Sequence, residues 1–193
     1  GNILLYVTIA VVAMDFVGDI AYVNRPMFLE YHVGPQGYVV FTAMGLVGGI
    51  IGSYFAGKIG SKFRLGKFAF ALLMLAGTVR VAFALVVPVS YAGGLVTIVT
   101  YLAIVTLLGT IFTSLNQKIP PEDMVGRVDT ISTTFVAIAV ALGALAGGFL
   151  GRAVPDVGYI FILQGASYAF IGAFLMLVPS FRKLPVMSEV RRQ

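Results

Sequence analysis

The chain has 193 residues, of which 59% are apolar and 11% charged, and its mean hydropathy is +0.99. Soluble domains carry about 25% charged residues, and no core of this size could hide so much apolar surface, so water-soluble globular and disordered proteins are excluded. The net charge of +5 therefore bears on membrane orientation rather than nucleic acid, and the absence of cysteine excludes disulfides, thiolate metal sites and cysteine catalysis.

A helix crosses the hydrocarbon with about 20 apolar residues. Six segments qualify in chain order: 3–23, 37–57, 68–88, 93–115, 128–150 and 158–179. Lipid offers the backbone no hydrogen-bond partners, and the runs are too long and unbroken for barrel strands, so the expected class is an all-α membrane protein. All eight prolines are expected at the joints or beyond them, from Pro26 and Pro35 to Pro179 and Pro185. The cluster Pro88, Ser90, Gly93 and Gly94 is the expected turn between the third and fourth spans. Residues 1–180 form the bundle, and 181–193 read as a basic cytoplasmic tail.

Alternating the six spans places Lys58, Lys62, Arg64, Lys67, Lys118, Arg127, Arg182, Lys183, Arg191 and Arg192 on one side. Only Arg25 and Arg152 fall on the other. The positive-inside rule then puts both termini in the cytoplasm of a cell (inner) membrane. The chain opens on Gly1-Asn2 and enters a span almost at once, which reads as a fragment or cleaved half of something longer.

A short pattern recurs at half-chain spacing. Leu46-Val47-Gly48-Gly49-Ile50-Ile51-Gly52 and Leu145-Ala146-Gly147-Gly148-Phe149-Leu150-Gly151 share L-x-G-G-x-x-G at an offset of 99 residues. The copies end the second and fifth spans, which run in opposite directions, as a 3+3 inverted repeat requires. The bland alternative is close helix packing through small residues, as at Gly45-x-x-x-Gly49 and Gly143-x-x-x-Gly147.

Two loops carry a resemblance. Ser53-Tyr54-Phe55-Ala56-Gly57-Lys58-Ile59-Gly60-Ser61-Lys62 resembles the G-x-L-A-D-R-x-G-R-K loop of the major facilitator superfamily. Ala56, Lys58, Gly60 and Lys62 match. Ser53, Gly57 and Ser61 depart from the pattern, so its acidic switch residue has no counterpart here. Gln117 to Val128 looks like the segment between the tenth and eleventh spans of efflux-type facilitators, where Ile119-Pro120 and Gly126-Arg127-Val128 bracket a few residues. Macrolide-efflux and siderophore-export relatives are the type it is most similar to. The resemblance implies the C-terminal six-helix half of a secondary transporter, which would rock against a second six-helix bundle. That bundle would be the N-terminal half or a copy of this chain.

The polar residues inside the spans are the candidate site. Asp15 and Asp19 lie at i, i+4 on one face of the first span. Burial disfavours a charged carboxylate, so proton uptake and release become available to them; a structural pair facing water or a neighbouring helix is the alternative. Arg80 lies at similar depth in the third span, as a counter-charge or a structural clamp. Thr106, Thr110, Thr113 and Gln117 form one polar line on the fourth span, and the resemblance makes it cavity-lining. Back-bonding of these hydroxyls to their own helix is the competing reading. Thr130, Thr133 and Thr134 repeat the theme on the fifth. Asp129 is expected near a helix N-terminus, and Glu30 and the lone His32 in the first external loop.

One histidine and no cysteine leave no metal cluster, no phosphate-binding loop is present, and no cofactor or enzymatic activity is expected. The expected function is proton-coupled export of small apolar or cationic compounds by alternating access. The rivals are a six-helix substrate-binding subunit of a vitamin uptake complex and a membrane scaffold. The orientation has a direct check, because the chain has no native cysteine. A cysteine at Ser61 should react with an impermeant thiol reagent in inverted vesicles and stay unlabelled in intact cells. Labelling from outside would overturn the topology.

Overall fold

A computed structural model describes residues 3–59 and 65–182. Every element in them is helical: α1 (Ile3–Ile59), α2 (Leu65–Val86), α3 (Tyr91–Lys118), α4 (Val125–Ala153), α5 (Gly158–Leu177) and a single turn, α6 (Pro179–Arg182). Five of these helices are long and apolar enough to cross a bilayer. The chain is an all-α, multi-pass membrane protein.

The first helix, α1, has 57 residues. As one straight rod it would run about 85 Å, against a hydrocarbon core of about 30 Å. It breaks at Gly34, whose φ of 75° and ψ of 172° leave the helical region. That conformation belongs essentially to glycine. Pro35 follows at the start of the second arm, where its missing N–H goes unneeded. The arms then double back. Residues 14–25 of one and 42–53 of the other line a common cavity, and Phe28 and Phe41 pack on the same ring, Phe83, at 5.7 and 6.3 Å.

The first arm outruns the expected span. It continues through Pro26 to the kink, so this proline lies inside a helix rather than at a joint. An interior proline costs about 3 kcal/mol. Phe28 and Leu29, just beyond it, are fully buried, with Phe28 also stacked edge-on against Phe161 at 4.8 Å. Burying two such side chains contributes roughly 1.5–3 kcal/mol each, enough to hold the extension. Glu30 and His32 accordingly stand on the last turn of this arm, not in a loop, and His32 packs edge-on against Phe28 and Tyr31.

The other joints follow simple chemistry. The turn between α2 and α3 sits at Pro88 as expected, with Ser90 Oγ accepting the Gly93 N–H at 3.1 Å; Gly93 and Gly94 already belong to the helix. Between α3 and α4 the turn is made by Pro120, Pro121 and a Met124 N–H bond to the Pro121 carbonyl. Gly126 lies in the first turn of α4 without positive φ, and Asp129 falls one turn further in. Phe181 of α6 is buried against Gly66 at the start of α2, so residues 181 and 182 belong to the bundle rather than the tail.

Close backbone approach joins the helices in pairs. Gly48 and Gly52 of the second arm lie against the Val99 and Ala103 carbonyls of α3. Gly143 and Gly147 of α4 lie against the Phe16 and Ile20 carbonyls of the first arm, and Gly151 against the Asn24 side chain. Gly77 of α2 and Gly165 of α5 face each other's carbonyl reciprocally. Gly45 meets side chains rather than backbone, chiefly the flexible end of Leu102. Gly49 and Gly148 make no tight approach, so the packing register on the second arm is Gly48-x-x-x-Gly52 rather than the expected Gly45-x-x-x-Gly49. Asn24 adds polar glue, donating to the Ile20 and Gly147 carbonyls at 2.8 Å each.

A paired substitution reads these contacts. A methyl group at Gly48 meets backbone that cannot yield, so Gly48→Ala should destabilise by about 1–3 kcal/mol. At Gly148 the space is open, and Gly148→Ala should be neutral or stabilise by up to about 1 kcal/mol through helix propensity. Unfolding midpoints in mixed micelles titrated with SDS provide the measurement.

Candidate functional site

A space of about 640 Å³ along α4 takes Thr130 and Thr134, and most other polar residues of the spans converge on two cavities between helices. The larger, about 950 Å³, lies among α1, α2, α3 and α5 and is lined by Asp15, Asp19, Arg25, Arg80, Thr106 and Gln164 among others. The smaller, about 290 Å³, lies between the first arm, α3 and α4 and is lined by Thr8, Asp15, Thr113, Asn116, Asp129 and Ser132 among others. Met14, Asp15 and Val105 line both. Of the acidic and basic side chains among the described residues that face either space, Asp15 alone faces both. It stands twelve residues beyond Ile3, about 18 Å along the helix and hence near the middle of a crossing. Asp19, one turn on, is half-buried, faces the larger cavity only and abuts Gly143.

Arg80 is 3% exposed and reaches α3 and α5 rather than α1. Its Nε donates to Gln164 Oε1. Its guanidinium lies over the rings of Tyr101, Phe161 and Phe83, with centroids 4.4, 4.6 and 5.0 Å away. Each such contact contributes about 0.5–2 kcal/mol when desolvated. Gln164 Nε2 in turn donates to Tyr101 Oη at 2.9 Å and Tyr168 Oη at 3.3 Å, and the two hydroxyls are 3.2 Å apart. Arg80 Nη1 is buried with no hydrogen-bond partner. No direct ion pair joins Arg80 to Asp15 or Asp19 among the described residues; they share a cavity, not a bond.

The polar line of the fourth span is divided by the fold. Thr106 faces the larger cavity and Thr113 the smaller. Thr110 donates back to the Thr106 carbonyl at 2.9 Å, and Gln117 is exposed outside both spaces. On α4, Thr130 and Thr134 bond their own helix, whereas Thr133 faces the smaller cavity. Ser132 reaches across to Thr8 at 3.3 Å. Lys58 is exposed and bonds Tyr54 Oη while lying over its ring. Arg127 and Gly126 are exposed at the start of α4. Gly60, Ser61, Lys62, Arg64, Lys183, Arg191 and Arg192 lie outside the described residues.

Sequence reasoning passed over Gln164, Tyr101, Tyr168, Asn116 and Asn24. The signal was present for the amides, since a side-chain amide in an apolar span is costly and needs a partner. No protein-family model, curated protein or solved structure matches the chain. The site is thus defined by its own geometry: a buried arginine held by an amide and three rings, facing two carboxylates across a cavity.

Gln164 supports this arrangement. Gln164→Leu removes the acceptor of Arg80 and the donor to both tyrosines, and should destabilise the fold by roughly 3 kcal/mol. SDS-titration midpoints of the variant and the parent protein check it.

Proposed function

We propose that the chain is a six-helix half of a secondary transporter, exporting small apolar or cationic compounds in exchange for protons by alternating access. The observation that carries this reading is Asp15, a carboxylate near mid-span that faces two separate cavities. Coupling needs a proton site whose surroundings change between states, and a carboxylate lining both spaces meets that need. In this reading α1 crosses twice, giving six crossings with both termini in the cytoplasm.

The pairing of helices supports a 3+3 inverted repeat. If the two arms of α1 and α2 are spans one to three, and α3, α4 and α5 spans four to six, the glycine contacts join two to four, five to one, and three to six. Exchanging the halves of the chain returns the same three pairs. Gly48 and Gly147 then correspond. The apolar side chains exposed on the second arm and α4, such as Leu46, Ile50, Phe135 and Phe149, suit lipid or a second six-helix bundle.

Asp15→Asn mimics the protonated form. It should abolish transport driven by a pH gradient while substrate binding or exchange persists; Asp19→Asn should do less, since it faces one cavity. Radiolabelled uptake and efflux in vesicles, with membrane abundance matched, is the measurement. Full gradient-driven transport by Asp15→Asn would remove the coupling role. High-affinity binding without any transport would point instead to a substrate-binding subunit.

A further inference from the structure

Arg80 is harder to account for as a simple clamp. A guanidinium presents five N–H donors in one plane. The three rings cover its faces, while Gln164 takes one donor at its edge. Nη1 has neither accessible surface nor a partner, and Nε of Arg25, on the same cavity, is also unpartnered. A cation this deep ordinarily finds an anion. The aspartates of the opposite wall do not reach it.

The two walls are nonetheless close. A side-chain carbon built at Gly18, which lies between Asp15 and Asp19 in the chain, would stand 3.5 Å from Tyr168 Oη and 4.0 Å from Gln164 Nε2. Asp15 and Asp19 flank that point within about one helical turn, 5.4 Å. Gln164 is in turn bonded to Arg80. Two arginines and two aspartates therefore face one space of about 950 Å³, within the range of small-molecule sites. A purely cationic guest would leave Arg80 unmatched, and a purely anionic one would leave the aspartates unmatched.

We propose that this cavity takes a small amphoteric solute of amino-acid-like chemistry, its carboxylate directed to Arg80 and its amine to Asp19. A charge-assisted bond between arginine and a carboxylate is about twice as strong as a neutral one, and Arg80 lines the cavity. The proposal narrows the cationic cargo of the transporter reading to compounds that also carry an acid group, and it rests on that reading only in calling the guest cargo. The side chains that it invokes, Arg80, Gln164 and the aspartates, all belong to this chain.

The test is equilibrium binding to the full chain in detergent, with the twenty free amino acids as probes and thermal protection as the readout. Each probe that protects is compared with its decarboxylated amine and its deaminated acid. At least one amino acid should bind about tenfold or more tightly than both of its analogues, since a polar site rejects guests that leave its groups unpaired. Gln164→Glu places a carboxylate where Arg80 already bonds, keeps the side-chain size, and should preserve the fold while erasing the preference for the acid group. Asp19→Asn should weaken the preference for the amine. If no amino acid binds better than its amine analogue, or if Gln164→Glu leaves the preference intact, Arg80 is a structural clamp and the proposal falls. Loss of gradient-driven transport in vesicles is a separate result, so failure of the coupling role leaves the binding answer readable.

Discussion

Helices surrounded by lipid gain little from hiding apolar side chains in one another, because the surrounding chains are equally apolar. Association must come from close packing and polar contacts. Here the close packing is supplied where glycine lets one backbone lie on another: Gly48 and Gly52 on α3, Gly143 and Gly147 on the first arm, Gly77 on Gly165. A side chain at any of these points would meet a carbonyl oxygen. The bundle is assembled from three glycine-joined pairs, and the space left among the pairs is where the polar side chains stand.

That arrangement explains how charge is tolerated at this depth. Arg80 is removed from water yet given a bed of three aromatic rings and one amide, and Gln164 is itself held by two tyrosine hydroxyls. The rings favour the cation without neutralising it, so the electrostatic demand of the guanidinium is only partly met inside the protein. Asp15 and Asp19 are treated differently. They are half-buried along cavity walls, where water and guests can reach them. The arginine is held at the cavity wall by its rings and amide, while the two aspartates keep more of their surface.

Gly34 shows how a local feature governs the whole. Without a residue able to adopt its backbone angles, the 57 residues of α1 would have no place to reverse, and the second arm would not return to line the cavity. Phe28, Phe41, Phe83 and Phe161 then close that end of the bundle with tilted and edge-on ring contacts between 4.8 and 6.3 Å. Their burial also carries the helix past Pro26, a position where local propensity alone calls for a stop.

Class and helix content were legible in the sequence, because they depend on sums over local stretches: apolar length, the scarcity of charge, and the need of a backbone in lipid to satisfy itself. The turn at Pro88 was legible for the same reason, and so was the cost of Asp15, Asp19 and Arg80 at their depth. Partnership was not. Arg80 and Gln164 are 84 residues apart, Gln164 and Tyr101 are 63 apart, and nothing local tells an arginine that it will lie against an amide and rings rather than a carboxylate. The working glycines at positions 48, 52, 77 and 165 could not be told from their neighbours at 49 and 148, since the facing backbone decides which of them is needed. Composition and periodicity settle what each segment is, because those properties are additive along the chain; which side chains meet depends on how segments cross, and only the tertiary structure decides that.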